Sequence, residues 1–351
     1  MRKLLLVLVS MSLAALLSST AFAFHDGGVA YCGGCHTMHN MNNGVLVDPA
    51  HPNGNAYLLK FQSASDLCLS CHATSRGAVW GTDPLNPPAE KGGGNFVFLT
   101  EDNINDGHGG ATSPIPGRAA GHNINAPGRG AGPDGTLLVS PGGTFPASQL
   151  GCTSCHDPHG NQNFRLLNGV GPIQDGLATF TAPAPDAEGN SYNTAETNVM
   201  HTAYKSGMGA WCGNCHGDFH NNATKLIHPT GRAIGGTIAN IYNLYNGTDN
   251  MTGGTQATAY IAAVPFEDPT NTTTSTNGPS ATSQVTCITC HRAHATSAQN
   301  AGRWDFNITF LHEDGVESGS YAIPNPYPSL NQRSLCNKCH AKDAGDAPFE
   351  P

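Results

Sequence analysis

Twelve cysteines and six histidines fall into six copies of one pattern, Cys-x-x-Cys-His, and no cysteine is left over. The copies are Cys32-Cys35-His36, Cys68-Cys71-His72, Cys152-Cys155-His156, Cys212-Cys215-His216, Cys287-Cys290-His291 and Cys336-Cys339-His340. On a helical turn, positions i, i+3 and i+4 share one side. Two thiols so placed can add across the two vinyl groups of a porphyrin, while the next imidazole binds its iron from one face. The pattern is the attachment signature of c-type haem. A thioredoxin-like redox pair or half a zinc site also uses Cys-x-x-Cys, and six such units could make three four-cysteine zinc sites. The histidines argue against this. Histidine is 17 of 351 residues, so six chance hits behind six cysteine pairs have odds on the order of 10^-8, and zinc gives no reason for them. The sequence therefore predicts six haem c groups, with those six histidines as proximal ligands.

Six-coordinate irons need six further ligands, and eleven histidines remain: His25, His39, His51, His108, His122, His159, His201, His220, His228, His294 and His312. Four sit just behind a motif. His39, His159 and His294 follow the motif histidine by three residues, and His220 follows by four. At that spacing both imidazoles leave the same side of one short turn. The second cannot reach the far face of its own iron, so it can ligate only a different haem. Four such segments imply close-packed haems rather than isolated sites. The alternative is an ordinary packing histidine, but imidazole is a common iron ligand and ligands are needed nearby. His122 and His228, on loops able to reach a ring, come next, followed by His25. His51, His108, His201 and His312 are set aside as non-ligands, as are Met38 and Met208. Tyr31 and Trp211, each just before a first cysteine, are expected to pack on haem edges.

The elements that must hold these groups are sparsely signalled. Gly 43 and Pro 24 together make about a fifth of the chain, against an average near 12%. Long stretches such as Gly107 to Gly143 and Asn246 to Ser283 carry neither helical nor strand periodicity. Alone they would read as disordered, but a porphyrin brings a rigid apolar surface that loops can wrap. Motif-to-motif spacings of 36, 84, 60, 75 and 49 exclude a regular solenoid repeat. The expected fold is a loop-rich multihaem cytochrome c with short α-helices at the motifs, one longer helix around Thr197 to Ser206, few strands, and the haem stack serving as core.

Arg2 and Lys3, the apolar run Leu4 to Leu17, and Ala21-Phe22-Ala23 read as a signal peptide over 1–23 with the mature chain starting at Phe24. The run is short for a bilayer span, which needs about 20 residues. Residues 24–351 are read as one hexahaem domain, at about 55 residues per haem. Cleavage leaves 14 basic against 25 acidic residues. That balance excludes a nucleic-acid binder. Charged residues are only 12% of the chain, against about 25% in typical globular proteins, which fits a surface partly covered by another chain.

Several long elements carry a family resemblance. They include Phe24 to Ala30 running into Cys32 to Asn40, Gly121-His122-Asn123-Ile124, Pro141-Gly142-Gly143-Thr144, Cys152 to Gly160, Trp211 to His220, His228-Pro229, Thr255-Gln256-Ala257, Cys287 to Ala295 and Leu335 to Asp343. In kind and order they resemble the filament-forming hexahaem outer-surface c-type cytochromes, the extracellular nanowires. The chain departs from that pattern over 73–120, 161–200 and 295–330, which are shorter, and His201 has no counterpart. The resemblance implies protomers polymerised head to tail, with all haems bis-histidine and stacked in one line. It also implies that His39 crosses the subunit boundary to ligate the fifth haem, that of Cys287-Cys290-His291, in the neighbour.

Three functions compete. The first is a polymerised conduit outside the cell, fed by outer-membrane or periplasmic cytochromes and delivering electrons to metal oxides or partner cells. The second is a monomeric periplasmic or surface carrier. The third is a multihaem reductase, which needs an open iron position and often marks it with an altered motif such as a lysine for the proximal histidine. Six motifs identical in type and a surplus of histidine weigh against the enzyme.

Overall fold

The structure is a computed structural model and describes residues 31–73, 79–88, 91–103, 115–174, 176–190, 194–221, 228–246, 253–311 and 333–340. The proposed signal segment, His25, His108 and His312 lie outside the described residues. Seven α-helices are described: α1 Cys32–Cys35, α2 Ala64–His72, α3 Cys152–Cys155, α4 Met208–Cys212, α5 Gly217–Asn221, α6 Gly235–Leu244 and α7 Cys287–Cys290. Only α2 and α6 exceed two turns, and the sixth motif lies in a 3-10 turn, Leu335–Lys338. The loop-rich architecture is as expected from glycine and proline content.

In α1, α3 and α7 the helix is a single turn. The next residue, the motif histidine, is already extended (φ −109° to −112°), while its N–H still bonds the first cysteine carbonyl. The two cysteines thus share one helical side, and the histidine turns the chain away from it. Motif 2 differs. The Ser63 hydroxyl caps α2 by accepting from Asp66 N at 3.0 Å, and Cys68 to His72 complete its last turn.

Among the described residues six strands make three separate two-stranded antiparallel ribbons: β1 Met41–Asn42 with β2 Val45–Leu46, β3 Gly171–Pro172 with β4 Thr179–Phe180, and β5 Asp186–Glu188 with β6 Ala203–Ser206. The last ribbon corrects the expected helix around Thr197 to Ser206. The cause is tertiary. Ala203 and Tyr204 are buried, β6 pairs with β5, and His201 is fixed by two carbonyls. Its Nδ1 faces Thr202 O at 3.0 Å, its Nε2 faces Ser275 O at 2.9 Å, and its ring stacks on Tyr260 at 3.8 Å.

Peptide core exists, but in small clusters beside the motifs. One gathers Leu69, Trp80, Phe96 to Phe98 and Ile124, with Cys152 packed against it. A second gathers Tyr242, Tyr260, Val264, Phe266, Trp304 and Leu335, with Cys290 and Cys339 against it. Trp211 packs with Cys212 and Cys215 against two further clusters, and its Nε1 donates to Asn168 O at 2.8 Å. Tyr31 is exposed. Lys338, inside the sixth motif, is fully buried. Its Nζ donates to the carbonyls of Tyr242, Tyr245 and Ala259 at 2.9, 3.3 and 3.1 Å, tying the motif to the end of α6. Burial lowers its pKa to about 7.

Candidate functional site

Three motifs are held by one recurring clamp. Behind motifs 1, 3 and 5 the chain returns through a 3-10 turn, Ala56–Leu58, Phe164–Leu166 and Gln299–Ala301. The last two residues of each turn are left-handed: Tyr57 and Leu58, Arg165 and Leu166, Asn300 and Ala301, with φ between 53° and 58°. Six non-glycine residues in that region carry strain of about 1 kcal/mol or more apiece, so each turn is held by its surroundings. The strain aims a carbonyl. His36 Nδ1 donates to Tyr57 O at 2.9 Å, His156 Nδ1 to Arg165 O at 2.8 Å, and His291 Nδ1 to Asn300 O at 2.9 Å. Two residues on from the turn's centre, an antiparallel bridge follows: His36 with Leu59, His156 with Leu167, His291 with Gly302.

Motif 4 is reached from another direction. His216 Nδ1 donates to Pro141 O at 2.7 Å, the Ser140 hydroxyl to Cys215 O at 2.6 Å, and Asp218 N to Gly142 O at 2.7 Å. The approach is so close that a Cβ on Gly143 would overlap the Cys215 carbonyl oxygen. Gly143→Ala is therefore expected to push the 140–143 turn off motif 4. Losing three hydrogen bonds at about 1 kcal/mol each should cost about 3 kcal/mol. Thermal unfolding of the haem-loaded protein measures it, and an unchanged melting temperature contradicts the assignment.

The Nδ1 bonds settle which nitrogen remains. With Nδ1 as donor, Nε2 carries the lone pair and is free to bind a metal. His122 follows the same rule through Ala293 O at 2.8 Å, and His294 through Gly94 O at 3.3 Å. A neutral ring is required, and the environment provides it. Burial pushes the pKa of His122, His291 and His340 down, helped by the facing His216 for His122 and His228 for His340. Burial pulls His294 down to about 3, with the His156 imidazole the next cause.

Three motif histidines face a second imidazole. Ring centres are 6.4 Å apart for His36 and His159, 6.0 Å for His122 and His216, and 6.2 Å for His228 and His340. These gaps exceed stacking contact but fit an ion between them. A metal–imidazole nitrogen bond of about 2.0 Å plus about 1.1 Å from Nε2 to the ring centre, taken twice, gives about 6.2 Å. The interplanar angles of 12°, 47° and 66° are no obstacle, because two imidazoles sharing one metal–nitrogen axis may have any mutual twist. The donor set and spacing therefore fit a haem iron between two imidazoles.

The remaining expected ligands are placed as follows. His294 lies under the Phe96 ring at 4.5 Å, in a cradle of glycines. A Cβ on Gly93 would come within 3.3 Å of its Nδ1, and one on Gly121 would overlap its carbonyl oxygen. His39 is exposed, and so are Met38 and Met41, close to it in sequence. His220 is half-buried, with Nδ1 3.1 Å from Thr230 Oγ1. Among the described residues no second imidazole stacks opposite it. His51, set aside, pairs with Asp48 at 2.8 Å.

The cysteines give the order of the sites. In the haem-loaded chain their sulfurs are thioethers, so thiol contacts here report proximity only. Cys68 and Cys152 are within hydrogen-bonding reach, as are Cys212 and Cys287. Second cysteines neighbour one another across the other junctions: Cys35 with Cys71, Cys155 with Cys215, and Cys290 with Cys339. The six motifs thus follow one another in space as in sequence, with two kinds of junction alternating. The clamp turns, which position three of the rings, carry little signal in the sequence. Asn55-Ala-Tyr-Leu-Leu and Asn163-Phe-Arg-Leu-Leu share a signature, which the third copy lacks.

Residues 145–175 match the family described as a doubled CXXCH motif. The chain is 34% identical to the C-type cytochrome OmcS of Geobacter sulfurreducens, over 98% of this chain and all of the relative. Its fold matches the cryo-EM structure of the OmcS nanowires from Geobacter sulfurreducens with a TM-score of 0.77 at 29% identity, covering 91% of this chain and all of that one. An outer membrane cytochrome S filament from the same organism gives 0.76 at 30% identity, with the same coverage. In the described residues no helix is long and apolar enough to cross a membrane.

Proposed function

The chain belongs to the OmcS family of c-type cytochromes, and from that membership we propose that it carries six haem c groups in one line, is exported, and polymerises head to tail into an extracellular filament that conducts electrons. It is an electron-transfer protein rather than an enzyme. The single observation that carries the polymer is a register in the histidines. The histidine behind motif 3, His159, faces His36 of motif 1. The one behind motif 5, His294, neighbours His156 of motif 3. Each crosses back by two motifs. Continued once more, the histidine behind motif 1, His39, belongs on motif 5 of a preceding protomer.

The even motifs follow their own rule. His122, between motifs 2 and 3, faces His216 of motif 4, and His228, between motifs 4 and 5, faces His340 of motif 6. A residue before motif 1 should then serve His72, and His25 stands there. This assignment uses His25, His39, His122, His159, His228 and His294 as second ligands and leaves His220 as a packing residue on Thr230. The alternation of cysteine junctions needs one further contact, from the sixth motif to the first motif of the next protomer.

When bound, each haem supplies a one-electron couple at iron. The protein fixes spacing, supplies two neutral imidazoles per iron, and sets Nδ1 as donor through the clamp carbonyls. It moves no proton and forms no bond. Donors are outer-membrane or periplasmic cytochromes, and acceptors are metal oxides or partner cells. The secreted protein is expected to contain six haems per chain, all low-spin, and to form filaments under negative stain. Discrete particles with six low-spin haems would make it a monomeric carrier. A high-spin haem that binds nitrite or hydroxylamine would make it a reductase.

A further inference from the structure

The residue that follows the clamp bridge donates its backbone N–H to the second cysteine of the motif at all three copies: Lys60 to Cys35 O at 3.0 Å, Asn168 to Cys155 O at 2.9 Å, and Arg303 to Cys290 O at 2.7 Å. The backbone role is the same at all three, but the side chains differ in charge. Asn168 is buried and neutral, and its Nδ2 donates to the carbonyls of Thr153 and Ser154, inside the motif 3 turn, at 3.1 and 3.3 Å. Arg303 is 3% exposed. Its Nε donates to Ile288 O inside the motif 5 turn at 2.6 Å, its Nη1 to Ala262 O at 3.1 Å, and its Nη2 to Gly92 O at 3.2 Å. All three acceptors are carbonyls, and among the described residues Arg303 makes no ion pair. Glu196 is in the same neighbourhood, but its carboxylate accepts from Thr202 N at 2.8 Å. A guanidinium stays protonated in proteins, so this is a permanent buried cation. It sits against motif 5 itself, through its backbone N–H on Cys290 O and its Nε on Ile288 O. Lys60, the third counterpart, is half-buried and more open to solvent screening.

We propose that Arg303 is a fixed positive charge that raises the reduction potential of the haem at Cys287-Cys290-His291 above that of the haem at Cys152-Cys155-His156. The inference rests on the six-haem reading above. Reduction at that iron adds one electron, taken from one neighbouring haem and passed to the next, with no bond made or broken and no proton moved. The added negative charge is attracted to a nearby cation in a poorly solvated site, so the reduced form gains. Bracing alone does not explain an arginine, because asparagine braces motif 3 without charge. Arg303 is a positioning residue as well, and a potential separates the two roles.

The test is a potentiometric titration of the absorbance of the six-haem protein, resolved into one-electron components. Arg303→Asn, which imports the motif 3 solution, should move one component to more negative potential and leave five in place. Arg303→Gln should do the same and serves if the first variant does not fold. Arg303→Lys, which keeps the charge, should stay near wild type. Neutral variants that overlay the wild-type curve overturn the proposal, as does a lysine variant shifted as far as the neutral ones. A wild-type protein lacking six low-spin haems would instead defeat the functional reading, so the two failures are distinguishable.

Discussion

Replacing His39 by alanine is expected to leave six haems covalently attached to the secreted chain and to abolish its filaments. No thioether is touched, because His39 lies outside the Cys32-Cys35-His36 motif that precedes it. What is lost is one metal bond per protomer junction, between a ring and an iron in different chains. The setting fits such a bond. His39 is exposed, as is its neighbour in sequence, Met38. The expected readouts are particles instead of filaments by electron microscopy, and one high-spin haem of six by electron paramagnetic resonance. Filaments of wild-type length with six low-spin haems would contradict the crossing.

His159→Ala should give the same spectroscopic loss without the same loss of assembly. His159 faces His36 within one chain, at 6.4 Å between ring centres, so its removal opens one iron while the junction stays whole. Filaments should persist, one haem in six should become high-spin and bind carbon monoxide, and conduction along the filament should fall. A loss of filaments with all haems low-spin would mean that His159 holds the fold rather than an iron. The pair of variants thus separates a ligand inside the protomer from a ligand between protomers.

The attachment chemistry was fully legible in the sequence, because covalent capture of a porphyrin fixes residue types at fixed spacing. The same spacing argument pointed His159 and His294 away from their own motif histidines, and their rings lie near His36 and His156. The partner of each was not legible. His159 reaches back to a motif 120 residues earlier, from Cys32 to Cys152, and only the folded path of the intervening loops decides that. The clamp turns were hidden for two reasons. Their distance behind the motif varies, with Tyr57 lying 21 residues after His36 but Arg165 and Asn300 nine after theirs. Their left-handed residues are also mostly ones for which that conformation is unusual. The expected helix at Thr197 to Ser206 failed because pairing with Asp186–Glu188 and the two carbonyls on His201 override local preference.

The central claim is a continuous line of haems that crosses from one chain to the next through His39. Cryo-electron microscopy of the secreted protein, at a resolution that shows ring planes and axial ligands, tests it most directly. The account predicts filaments in which motif 6 of one protomer abuts motif 1 of the next, with imidazole density from His39 on the iron of the neighbour's Cys287-Cys290-His291 site. A map in which that iron takes its second ligand from its own chain, or in which the line of rings breaks at the junction, would contradict it.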